Sequence, residues 1–235
     1  MLENNERSVV TAAERALASL PAGDVHSVTA AAMDVDGQIH TGANVFHFAA
    51  GPCAELVVLG VAAAAGAGPL VTIVAVGDGG RGVLVPCGRC RQVLLDLHPD
   101  VFVIVPGDDG LVATPVRELL PRAYRSPHAD RPLRIVYFHP RHRAAIEAGL
   151  KTTMVRYDDP MSPGPAVFVF DDGERLERLD AKVTTVRERR VDELTDEDGL
   201  RDGVGNATEL RDALGVQYPN LRDDDVVEVV AFRLG

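Results

Sequence analysis

All three cysteines of the 235-residue chain fall in two short stretches, Gly51-Pro52-Cys53-Ala54-Glu55 and Pro86-Cys87-Gly88-Arg89-Cys90. Three thiolates can hold a Zn²⁺ ion at three of its four tetrahedral positions and leave the fourth for water, the arrangement of a catalytic rather than a closed structural site. Glu55, two residues after the first cysteine, is then placed to take a proton from that water and later pass it to a leaving group. The chemistry implied is hydrolytic deamination. A structural zinc knuckle would need a fourth protein ligand. No fourth cysteine exists, and the nearest histidines in sequence are His47 and His98.

These residues must be held by helix starts. The run from Pro52 to Ala65 is rich in Ala, Leu and Val on nearly every face, with Pro52 suited to the first turn and Gly66 to the exit, and it predicts a buried helix. Pro86 precedes a second helix, about Cys87 to Leu97. Cys53 and the Cys87/Cys90 pair therefore open two helices, where the positive dipole ends lower thiol pKa. Three thiolates around one Zn²⁺ leave a net negative cluster, and Arg89 and Arg91, which bracket Cys90, are candidates for hydrogen bonds to sulfur.

The flanking elements follow from periodicity. Val9, Val10, Ala13, Ala16, Leu17 and Leu20 predict an amphipathic helix over residues 8–20. Val25 to Met33 and Gln38 to Val45 flank the turn Asp34-Val35-Asp36-Gly37 and predict a β-hairpin. Leu70 to Val76 and Val101 to Val105 are short apolar runs of the kind found in strands covered on both faces. A loop over 77–82 and a weaker helix over 115–120 complete an α/β sandwich.

Composition narrows the function. Lys and Arg number 24 against 35 Asp and Glu, a net charge of −11 with acidic excess in both halves, which disfavours broad electrostatic capture of nucleic acid. No basic segment followed by an apolar run opens the chain, and no apolar stretch reaches about 18 residues, so a cytoplasmic protein with no membrane partner is expected. An odd number of cysteines, two of them in C-x-x-C spacing, fits a metal site in a reducing compartment better than a disulfide framework.

The pattern C-A-E … P-C-x-x-C is the three-cysteine variant of the zinc-deaminase signature. With Asn44-Val45-Phe46-His47-Phe48, residues 51–60, residues 86–99 and Arg117-Glu118-Leu119-Leu120-Pro121, residues 1–125 resemble the cytidine deaminase family, and within it the blasticidin S deaminases. The resemblance implies a cytidine-deaminase-like α/β/α sandwich, Zn²⁺ on Cys53, Cys87 and Cys90, and proton transfer by Glu55 while activated water attacks C4 of a cytosine nucleoside and ammonia leaves. It also implies a homotetramer. Related nucleoside deaminases read the ribose with an Asn-x-Glu motif. Here Asn44 is followed by Phe46, which removes an acceptor for a sugar hydroxyl and favours a nucleoside with a modified sugar, as in blasticidin S. Ser27 matches a position of the family near the pocket and Tyr124 its C-terminal segment. Ala54 is a further substrate-binding candidate, and Arg81, in a Gly-Gly-Arg-Gly loop, is offered to a substrate carboxylate by a bidentate contact. The aromatic residue the family carries two positions after Tyr124 is Ser126 here.

Residues 126–132 read as a linker and 133–235 as a second, β-rich domain. Strands are predicted over 134–138, 166–170, 181–191 and 226–232, with helices over 140–148 and 208–214, the latter capped by Gly215. The acidic runs 196–198 and 223–225 read as solvated loops. Residues 148–156 and the closing Tyr218-Pro219 resemble an ASCH domain, a small β-barrel related to the PUA fold. Some ASCH proteins remove the acyl group of N4-acetylcytidine with a lysine, a threonine and a glutamate, and others are thought to bind RNA. Lys151 matches the lysine, Met154 stands where the threonine is expected, and Asp202 lies near the glutamate position. The triad is broken unless Thr152 or Thr153 substitutes, so a binding role through Lys151 and Arg156 is expected. Two alternatives follow: deacylation of an N4-acylated cytidine before deamination, or delivery of the deaminase to RNA, for which Lys182, Arg187, Arg189 and Arg190 form a candidate basic cluster.

Overall fold

A computed structural model of the chain describes residues 2–21, 23–124, 132–157 and 159–235. The chain divides into two compact units, Met1–Ile135 with Asp171–Arg178, and Val136–Phe170 with Leu179–Gly235. Ser126 and residues 126–131 of the expected linker lie outside the described residues.

The first unit starts with α1 (Asn4–Ala18), followed by β1 (Val28–Asp34) and β2 (Ile39–Ala43). Helix α1 begins before Ser8 because the Glu3 backbone N–H donates to the Glu6 carboxylate at 2.8 Å, satisfying a donor that a helix start leaves open. Next come α2 (Ala54–Ala64), β3 (Leu70–Gly77), β4 (Gly82–Leu84), α3 (Gly88–Leu97), β5 (Phe102–Gly107), β6 (Gly110–Pro115) and the single turn α4 (Val116–Leu119). The strands form one sheet in the order β2-β1-β3-β5-β6, with β4 also paired to β3. Among the described residues of this sheet only β3 and β5 pair parallel. The 77–82 stretch, expected as a loop, ends in β4, and β6 was not anticipated.

Alternation along β1 creates three layers. Ala30 and Ala32 pack with Ala54, Val58 and Leu94 of α2 and α3. Thr29 points the other way, donating its hydroxyl to the Ala13 carbonyl of α1 at 2.7 Å. Every residue of β3 is buried, as the unbroken apolar run requires for a strand covered on both faces. Gly42 of β2 lets α2 approach: a Cβ there would lie 2.9 Å from the Val58 backbone nitrogen.

The second unit contains β7 (Arg134–Phe138), α5 (Arg143–Glu147), β8 (Thr153–Arg156), β9 (Gly164–Asp171), β10 (Leu176–Arg190), α6 (Asp196–Asp202), α7 (Ala207–Gln217) and β11 (Val226–Leu234), with a few terminal residues of β7, β9 and β10 grouped in the first unit. Its sheet runs β7-β9-β10-β11-β8. Phe138, Phe168 and Phe232 fill the core edge to face, with centroids 5.0 and 4.7 Å apart for the Phe138–Phe168 and Phe168–Phe232 pairs. Such pairs contribute about 1 kcal/mol each beyond their buried area.

Two expectations here are corrected. The 196–198 run is the first turn of α6, not a loop: the Thr195 N–H donates to the Asp198 carboxylate at 2.9 Å and the Asp198 N–H to the Thr195 hydroxyl at 3.3 Å, a reciprocal cap that acidic residues favour at the positive helix end. Gly215 lies inside α7, which continues to Gln217. Among the described residues no helix is long and apolar enough to cross a membrane.

Candidate active site

Cys53 is the N-cap residue of α2 and Cys87 the N-cap residue of α3, both with extended backbone. Each carbonyl then accepts the first helical hydrogen bonds, from Val57 N–H to Cys53 and from Arg91 N–H to Cys87. Cys90, three residues into α3, is fully buried. The C-x-x-C spacing places one thiol at the helix entrance and the other one turn in, on the same side. Sγ of Cys87 lies 3.9 Å from that of Cys53 and 3.5 Å from that of Cys90, and all three ligand atoms lie within 4.8 Å of one another. Sulfurs sharing a tetrahedral zinc at about 2.3 Å would stand about 3.8 Å apart. The three thiols fit that ion.

The thiols differ electrostatically, which corrects the expectation that helix ends lower all three pKa values. Burial pushes Cys90 up strongly, with the Glu55 carboxylate adding to it. Burial also raises Cys53, partly offset by hydrogen bonding with Cys90. For Cys87 burial acts upward, but the backbone N–H groups of Cys90 and Arg89, together with the neighbouring thiols, outweigh it and hold the thiol below its ordinary value. Of the two N-cap thiols, burial is overcome only at Cys87, which the Cys90 and Arg89 N–H groups face, and not at Cys53. A cation would supply what the other two sulfurs lack.

Cys53, Cys87 and Glu55 line a cavity of about 410 Å³ together with Asn44, Phe46, His47 and Ala54, and the buried Cys90 is not in that lining. Glu55, in the first turn of α2, is 7% exposed. The Asn44 side-chain oxygen accepts from the backbone N–H groups of Ser27 and Val28 at 2.8 and 2.9 Å, which turns its amide so that the NH₂ is the free end. Phe46 is 71% exposed. The loop carrying both is tight: Ala50 has φ 65°, and a Cβ on Gly51 would lie 1.6 Å from the Val45 carbonyl oxygen. His47 contributes its ring, but Nδ1 accepts from the Ala49 N–H at 3.2 Å.

Other expected residues are placed elsewhere. Arg81 does not line the cavity: its guanidinium donates to the Ser27 carbonyl and to the Asp78 carboxylate, both at 2.6 Å, and so clasps the 78–81 turn to the start of β1. Ser27 is held through its backbone, while its neighbour Val28 lines the cavity. Tyr124 is exposed and outside the lining; its carbonyl accepts from the Gln92 side chain at 2.9 Å. Arg91 is not directed to sulfur but donates to the Pro86 and Leu119 carbonyls at 2.7 and 2.9 Å, tying α3 to α4. Arg89 is exposed and contributes its backbone N–H rather than its side chain. The apolar lining of Val28, Ala75, Leu84 and Val85 escaped the sequence reading. Leu84 and Val85 directly precede Pro86-Cys87, so adjacency to the motif was the available signal.

In the second unit Lys151 is buried, not a surface cation. It donates to the carboxylate and the carbonyl of Asp202, each at 2.5 Å. Arg156 pairs with Asp159. Lys151, Arg156 and Asp202 line a cavity with Met154. Thr152 and Thr153 are not in that lining; the Thr152 backbone links Arg201 and Phe232, and Thr153 is buried in β8. Of the basic residues on β10, Arg189 and Arg190 face Asp198 and Asp192 at 3.7 and 2.8 Å.

No family model matches the chain. A cytidine deaminase of Mycobacterium tuberculosis is 41% identical over 105 residues, covering 42% of this chain and 72% of that protein. A blasticidin-S deaminase of Bacillus cereus is 38% identical over 79 residues, covering 31% of this chain and 56% of that protein. Among solved structures, the M. tuberculosis cytidine deaminase has 32% identity and a TM-score of 0.44, covering 51% of this chain and 97% of that one. An ASCH domain from Lactobacillus crispatus has 14% identity and a TM-score of 0.35, covering 43% of this chain and 79% of that one. Identity of 41% across nearly three quarters of the mycobacterial enzyme's length leaves one conclusion: the chain belongs to the cytidine deaminase family.

Proposed function

We propose that the first unit is a zinc-dependent hydrolase that converts the cytosine moiety of a nucleoside to uracil and releases ammonia, favouring a modified sugar of the blasticidin S type over plain ribose. The observation that carries this reading is the convergence of three thiols within 4.8 Å, two of which, Cys53 and Cys87, line a cavity of about 410 Å³ with Glu55. Cys53, Cys87 and Cys90 would hold the zinc, which supplies Lewis-acid activation of water at neutral pH. Glu55 takes the proton released as the water oxygen bonds to C4 and returns it to the amino nitrogen, so that the C4–N bond breaks with ammonia as the leaving group. Its burial restricts competing exchange with bulk water. Asn44, its carbonyl oxygen engaged by two backbone N–H groups, presents two N–H donors to an oxygen of the sugar. Phe46 offers an apolar surface where a carboxylate would accept from a ribose hydroxyl, so a ribose bound there loses one partner.

The test follows the ultraviolet change from cytosine to uracil together with ammonia release. The expected result is stoichiometric conversion, with kcat/KM for blasticidin S above that for cytidine. Absence of turnover with every cytosine nucleoside would overturn the activity. Faster turnover of cytidine would overturn the preference alone.

A further inference from the structure

The second unit holds a cavity of about 400 Å³, within the range of small-molecule sites. Met154, Leu210 and Leu214 provide apolar lining, and the polar lining is dominated by nitrogen donors. Three cations, Arg141, Lys151 and Arg156, line it, against Asp202 in the lining and Asp159, which pairs with Arg156 from outside it, so one positive charge is in excess. This local excess runs against a chain whose net charge is −11, so it does not follow from composition.

We propose that this cavity binds a small organic anion, its carboxylate or phosphate oxygens met by Arg141 and the Lys151 ammonium. Lys151 is 4% exposed. Two of its three N–H donors are taken by Asp202; the ammonium also stands 5.9 Å from the centroid of the Phe138 ring, and among the described residues the third donor has no hydrogen-bond acceptor. Arg141 stands exposed at the rim, its Nε donating to His142 Nε2 at 3.2 Å. That contact leaves its terminal N–H groups without a carboxylate among the described residues and able to grip an oxyanion from two points. His142 registers the same field: burial lowers its pKa first, and the charges of Lys151 and Arg141 lower it further, against the opposing pull of Asp202. A neutral imidazole held in positive potential adds a donor or acceptor without adding charge. Arg156, already paired with Asp159, contributes less.

The proposal is independent of the deaminase reading, and its test keeps the two apart. Isothermal titration of the full chain would use inorganic phosphate, malonate, uridine 5′-monophosphate and uridine as probes. The expected result is saturable binding of at least one anionic probe, one per chain, with uridine at least about tenfold weaker than its monophosphate if the phosphate arm is the one that binds. Phosphate and the monophosphate binding without malonate would identify a phosphate ligand, and the reverse a carboxylate ligand. Lys151 is a poor first target because its loss strands Asp202. Arg141→Glu, on the exposed rim, should weaken the anion by about tenfold or more and leave the rate of cytosine deamination unchanged in the same samples. If no anionic probe saturates below about 10 mM, a free energy of only about −3 kcal/mol, the proposal fails. It fails equally if Arg141→Glu and His142→Ala both leave the binding unaltered, since the anion would then sit elsewhere.

Discussion

In the first unit the reacting groups arrive from two helix starts, Cys53 as the N-cap of α2, Cys87 as the N-cap of α3 and Cys90 one turn later. In the second unit the cavity's charged groups arrive from separate places in the chain: Lys151 just before β8, Asp202 at the end of α6 and Arg141 in the turn before α5. The first arrangement is local, with each short motif carrying its own backbone geometry. The second exists only once residues 51 positions apart in sequence have met. The difference explains why one site can be read from a few letters and the other requires coordinates. It also separates their failure modes, because damage at a motif removes chemistry while damage at a distant pair removes stability.

Substitutions should reveal this split. Cys90→Ala should have the largest effect. It removes a fully buried ligand, so metal retained by the purified protein should fall to background and deamination by well over the roughly hundredfold typical of supporting groups around a metal. Elemental analysis and initial rates measure both. Gly51→Ala forces a Cβ into the Val45 carbonyl and must displace the loop that carries Asn44 and Phe46. A shift of that order should cost about a hundredfold in kcat/KM while leaving the bound metal in place.

Lys151→Met should invert the pattern. Asp202 would lose its buried partner, and the second unit should lose about 3 kcal/mol in denaturant unfolding, with deamination at the wild-type rate. A matched loss of deamination would break the separation drawn between the units. The smallest effect is expected at Phe46→Glu, which restores an acceptor for a sugar hydroxyl and should raise the cytidine to blasticidin S ratio of kcat/KM by about tenfold.

Legibility in sequence followed the same division. Helix α2 and strands β1 and β3 were readable because apolar periodicity and flanking Pro or Gly reflect burial directly. Strands β4 and β6 were not: β4 has three residues, and β6, at the sheet edge, alternates only weakly. The acidic run at 196–198 was misread although its signal was present, since Thr195 followed three residues later by Asp198 is a helix-start pattern. Arg81 was the opposite case. Its partner, the Ser27 carbonyl, is 54 positions away, and nothing near Gly79-Gly80-Arg81-Gly82 distinguishes a loop clasp from a substrate contact. In the second unit His139, Arg141 and His142 were passed over, though a His-Pro-Arg-His-Arg run directly after a strand concentrates donors in one turn.

The central claim is that Glu55 moves protons beside a metal held by the three cysteines. Glu55→Gln preserves the size of a side chain that is 7% exposed and removes its capacity to carry a proton. Metal content and cytosine turnover measured on one preparation test the claim most directly. The account predicts wild-type metal content with turnover reduced by about a thousandfold; full turnover in that variant would contradict it.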